Sequence, residues 1–175
     1  MIESTAERLS TLIDRYSQDR KVSLPVLKFA LVGLLTHGIT ILFCLLIGIM
    51  VDRFAETLTA LAAIAVMRML VGGYHIPNPE WCVIVSTAII VIVPFIPFTT
   101  PLIYISSVLS LMLIVYFAPA DLRGKTRITE GSLRAMKVAA IIAVIGNMLI
   151  RSEVVAVSFL IAALTLVSIE KVVKK

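Results

Sequence analysis

The chain has 175 residues, of which 59% are hydrophobic and only 15% charged, and its mean hydropathy is +1.04. Soluble domains carry about 25% charged residues, and no soluble domain of this size could bury so much apolar surface. The net charge of +5 calls for no nucleic acid, because a membrane topology uses up the basic residues.

Ile2, Ala6, Leu9, Ile13 and Tyr16 recur at helical spacing, with Glu3, Glu7, Arg8, Asp14 and Arg15 filling much of the rest. This predicts an amphipathic helix within residues 1–22, lying on the membrane surface or packed on the protein itself. Residues 23–175 are expected to form one polytopic membrane domain. Ser23 and Pro25 have the chemistry of a helix start. Phe29 to Val51 contains no Asp, Glu, Lys or Arg, and a spanning helix needs roughly 20 apolar residues. The first span is therefore placed at 27–51, ended by Asp52 and Arg53. It begins too late and runs too long for the core of a signal peptide, and no small-residue cleavage site follows, so the N-terminal segment is expected to be retained. A second span follows at 55–71, with Arg68 in its last turn and Gly72-Gly73 as its stop. Trp81 to Ala120 is again free of charge. It supplies a third span at 79–97, broken near Pro94 and Pro97, and a fourth at 102–117. A polar loop at 118–135 leads to a fifth span at 136–150 and a sixth at 154–170. The last two are short, so a shallow hairpin or local bilayer thinning is open.

The chain is thus read as an all-α integral membrane protein with about six transmembrane helices. Positive charge orients it. With the N-terminus in the cytoplasm, the N-terminal segment, Arg68, the 118–135 loop region and the C-terminal tail hold 14 of the 16 basic residues, and only Arg53 and Arg151 lie outside. Six spans then leave both termini cytoplasmic, in the cell membrane.

The connection from the second to the third span holds one of two histidines and one of two cysteines, His75 and Cys82. A thiol attacks a carbonyl as its thiolate, and a nearby imidazole assists that. Pro77 and Pro79 prevent one continuous helix between the two residues, so the loop can fold His75 back toward Cys82. Asn78 reads as an N-cap with Pro79 at the first helical position, which places Cys82 in or beside the first turn, where the helix dipole favours an anion. Gly72 and Gly73 permit backbone conformations that could aim amide donors at a reacting carbonyl. Arg68 could hold the substrate or an oxyanion, or simply snorkel at a helix end. His37 and Cys44 share the same seven-residue spacing, but on an uninterrupted helix two turns separate them by roughly 10 Å. Cys44 is therefore expected to be a small buried hydrophobe, and His37 to face the bundle interior. Two cysteines at these depths make no disulfide framework. No metal site is expected, since there is no HExxH motif and these ligands cannot converge on one ion. No cofactor motif, Walker A sequence or GxSxG appears either. From spacing alone, a loop histidine beside a packed cysteine remains the alternative, as does a small non-enzymatic transporter or scaffold.

Arg68, Gly72-Gly73-Tyr74-His75 and Cys82, followed by Tyr116-Phe117-Ala118-Pro119-Ala120-Asp121, resemble the accessory gene regulator B (AgrB) family of membrane cysteine endopeptidases. The resemblance covers about residues 25–150. It implies that His75 and Cys82 are the catalytic pair, with Arg68 and Gly73 also matching the motif; no third member is evident in the sequence, and Asn78, Glu80 and Asp121 are the candidates. It implies a quorum-sensing precursor peptide of the AgrD type, with an amphipathic leader and an acidic tail. The enzyme would remove the tail, and the core would close into a thiolactone or lactone. Arg123, Lys125 and Arg127 suit an acidic tail, although topology alone also demands positive charge there. A homodimer is left open.

Overall fold

The computed structural model describes residues 1–16, 23–73, 76–97, 99–119 and 129–173, with side chains of the last helix described through 167. Among these there are seven α-helices and no strand: α1 (Ile2–Tyr16), α2 (Leu24–Met50), α3 (Phe54–Val71), α4 (Pro79–Ile92), α5 (Thr100–Phe117), α6 (Glu130–Ile150) and α7 (Glu153–Val173). Four of them, α2, α3, α5 and α6, are long and apolar enough to cross a membrane. The segments Pro79–Phe95 and Glu153–Val167 are apolar but shorter. Large apolar side chains such as Phe29, Leu34, Met50, Leu149 and Ile150 point outward, each more than two-thirds exposed. Exposed apolar surface on this scale is a lipid-facing belt.

The helix ends follow from local chemistry. Asn78 caps α4, its Oδ1 accepting the backbone N–H groups of Glu80 at 3.0 Å and Trp81 at 3.3 Å. Pro94 tightens the far end of α4 into a 3-10 turn at Val93–Phe95. The prolines at 94 and 97 thus end the helix, as expected. The fifth expected span begins six residues early, at Glu130, so the polar loop is shorter than 118–135. The cause is a cap: Thr129 Oγ1 accepts the N–H of Ser132 at 3.4 Å. At 21 residues α6 is long enough to span without bilayer thinning, while the apolar stretch of α7 among the described residues is the shorter Glu153–Val167.

Helix α3 is central and touches α2, α4, α6 and α7. One side of it joins a closed core, where Met67 and Val71 pack with Ile114, Val144, Phe159 and Leu166. On another side, Ala60 and Ile64 meet Cys44, Ile90 and Val93. At the top of the α2–α3 hairpin, a Cβ on Gly48 would stand 3.0 Å from the Thr57 side chain, so the two helices cross closely there. At the other end of the bundle, Lys137 of α6 donates to the carbonyl of Val115 at 2.7 Å. That carbonyl is one of the last of α5, which the helix itself leaves without a partner. Helix α1 lies along α2, burying Ala6 and Ser10, while Leu9, Leu12 and Ile13 stay partly exposed.

Candidate active site

Cys82 is the fourth residue of α4, just beyond the Asn78 cap, and its N–H makes the first helical bond back to the Asn78 carbonyl at 3.0 Å. Its side chain is 8% exposed, and Sγ lies 4.0 Å from the Ser86 hydroxyl one turn further on. Arg68 stands in the last turn of α3. Both border one cavity of about 300 Å³ between α2, α3 and α4. Gly72 ends α3 at φ 79, its N–H bonded to the Arg68 carbonyl at 3.0 Å. Gly73 follows at φ 149, where a Cβ would lie 2.7 Å from Thr165 Oγ1 of α7. The chain therefore needs glycine at 73 for close approach as well as for backbone freedom.

Other residues flanking the site have structural partners. The Asn78 side-chain oxygen is engaged in capping. Glu80 Oε1 accepts from the Met1 amino group at 2.6 Å and from the Ile2 N–H at 3.0 Å, tying α1 to the start of α4. Glu7 accepts from Lys28 Nζ at 2.9 Å, and this hydrogen bond, with the charge behind it, holds the Glu7 carboxyl below its usual range. His75, Asp121, Arg123, Lys125 and Arg127 lie outside the described residues.

Cys44 is fully buried, as the sequence suggests. His37 is not in the bundle interior as expected. It lines the same cavity as Cys82 and is exposed at its edge. The buried stripe of α2 is Thr36, Thr40, Cys44 and Gly48, and His37, one residue on, is turned away from that stripe by about 100°. The polar wall formed by Thr36, His37, Thr40 and Ser86 was missed by sequence reasoning. Its signal is the run of small or polar residues four apart at 36, 40, 44 and 48. On an apolar helix such a run marks the protein-facing side.

The family model for accessory gene regulator B matches residues 6–172, nearly the whole chain. The chain belongs to the AgrB family. Membership gives it a role in processing a quorum-sensing peptide. Neither the curated proteins nor the solved structures contain a match to it. Within the AgrB frame, the described residues bring Arg68 and Cys82 to one cavity and set Gly72 and Gly73 at the end of the helix that carries Arg68.

Proposed function

We propose that this AgrB protein is a membrane-embedded cysteine endopeptidase that removes the C-terminal tail of an AgrD-type precursor and leads its core to a thiolactone or lactone. The observation that carries the reading is the place of Cys82, on a capped helix start and at the wall of a cavity that also receives Arg68. The Cys82 sulfur attacks the scissile carbonyl and forms a C–S bond. The peptide C–N bond breaks, and the tail leaves as an amine that takes a proton through His75. A thiol or hydroxyl within the peptide core then attacks the thioester, giving up its proton, and Cys82 is released as the ring closes. Transfer from one thiol to another conserves the activation that hydrolysis would discard, so the site gains by excluding water. Arg68 is positioned to hold the substrate or the oxyanion, and the basic loop at Arg123, Lys125 and Arg127 attracts the acidic tail. The excess of positive charge at the ends and in that loop supports a cytoplasmic active site in the cell membrane.

The experiment is mass spectrometry of the protein in liposomes with precursor. The peptide core should be found attached through Cys82 and released by hydroxylamine. Cys82→Ala should abolish cleavage, and His75→Ala should do the same, whereas Cys44→Ala retains substantial cleavage. Processing by purified Cys82→Ala would overturn the reading and return the chain to the transporter or scaffold class.

A further inference from the structure

The cavity beside Cys82 is a cleft with a direction. Its back wall is α4, where Cys82, Ser86 and Ile90 follow one another on one face at four-residue spacing. Eight residues of helix carry it about 12 Å inward from the sulfur. Its polarity falls along α4 and α3 in the same sense. On α4 it passes from Cys82 and Ser86 to Ile90, which is 4% exposed. On α3, descending from Arg68, it passes through Ala65 to Ile64 and Leu61. On α2 the lining stays polar through Thr36, His37 and Thr40, with Ile41 beside them. The hydroxyls of Thr36 and Thr40 donate back to their own helix, to the Val32 and Thr36 carbonyls at 2.7 and 2.8 Å, so the wall they form demands no polar partner. His37, Ile41, Ala65 and Met69 are exposed, so the cleft also opens sideways between α2 and α3, at a level where the surroundings are lipid. The sulfur stands at the polar end, and an apolar floor lies beyond it.

We propose that this cleft is the acyl-side subsite, taking an apolar side chain of L configuration from the peptide residue whose carbonyl is joined to Cys82. The proposal rests on Cys82 as nucleophile and adds which half of the substrate the protein holds. The acidic tail has no place in an apolar cleft and departs toward water. The acyl half is retained with its side chain anchored in the cleft, which keeps the thioester away from water until the ring closes. A volume of about 300 Å³ lies at the small end of ligand pockets, and it suits one or two side chains rather than a folded peptide.

The test needs no cognate precursor. The full-length protein in nanodiscs is treated with the 2-mercaptoethanesulfonate thioesters of N-acetyl-L-leucine, N-acetyl-D-leucine and N-acetylglycine. Acyl transfer to Cys82, with release of the small thiol, is followed by mass spectrometry and normalised to the reactivity of each reagent with free N-acetylcysteine. The two leucine reagents partition into lipid equally, so only a shaped site separates them. The L-leucine reagent should acylate Cys82 at least about tenfold faster than either of the others, the scale on which an apolar pocket discriminates. Ala65→Phe, at an exposed position on the side wall, should cut both ratios, while Val138→Phe on the exposed face of α6 should leave them as in wild type. Equal rates for the L- and D-leucine reagents would show a cleft filled by lipid chains and overturn the subsite, with Cys82 still the acylated residue. Acylation of Cys82 by none of the reagents would instead strike the nucleophile itself. Should Ala65→Phe fail to fold, the three reagents on the wild-type protein decide alone.

Discussion

The two sides of α3 are built on different principles. On the side facing α6 and α7, Met67 and Val71 are completely buried among Ile114, Ala140, Val144 and Leu166. On the side facing α2 and α4, the same helix presents Leu61, Ile64, Ala65 and Arg68 to an open cleft. One helix thus serves as the keystone of a closed bundle and as the wall of a site. Lipid tails are as apolar as leucine, so burial from water does not hold membrane helices together and close packing must. The closed side supplies most of that packing, and on the other side the cluster of Cys44, Ala60, Ile64, Ile90 and Val93 closes only the far end of a cleft that stays unfilled.

Truncations on the two sides should therefore differ most. Met67→Ala removes a fully packed side chain and should cost about 2 kcal/mol or more, read as unfolding in bicelles. Leu61→Ala borders existing empty space and should cost about 1 kcal/mol or less. Equal losses would erase the distinction. The next effect is at the end of α3, where the two sides meet. Gly73→Ala forces a Cβ into Thr165 Oγ1 and retains a positive φ, and should destabilise by about 1–3 kcal/mol. The double variant with Thr165→Ala should recover the steric part and leave the backbone part, so complete recovery would refute a backbone requirement at 73. The smallest effect is expected at α1. Lys28 depresses the Glu7 carboxyl, so the pair's contribution is present above the ordinary carboxylate range and is lost as pH falls through the depressed value. Glu7→Gln should speed amide exchange in α1 at neutral pH, and the difference from wild type should vanish in acid. A difference that persists in acid would exclude the ion pair as its source.

Much of this arrangement is legible from sequence because apolar length and caps are local signals. The runs free of charge give α2 and α5 to within a few residues, Asp52-Arg53 and Gly72-Gly73 bound α3, and Asn78-Pro79 places the start of α4 and hence Cys82. The separation of Cys44 from Cys82 is equally local, since one lies on an unbroken helix and the other follows two prolines. The start of α6 is less legible, because Gly131 and Ser132 are poor helix formers and the Thr129 cap rests on one backbone hydrogen bond. The cleft is not a local property at all. It arises where three helices diverge, and the sequence holds only its trace in Thr36, Thr40, Cys44 and Gly48. The other reading that failed, an inward-facing His37, assumed that any polar group in an apolar helix must point inward. A group beside a polar wall can sit at the edge instead.

Helices α2 and α3 form one hairpin but are unequal, with 27 and 18 residues, or about 40 and 27 Å of length. A hydrocarbon core is about 30 Å thick. The shorter helix nearly matches it, and the longer one exceeds it and must tilt or protrude. Lys28, in the second turn of α2, is bonded to Glu7 of α1, so the excess length falls at the start of α2, where α1 lies along it. The overhang of the longer helix is thus the rail on which α1 is held.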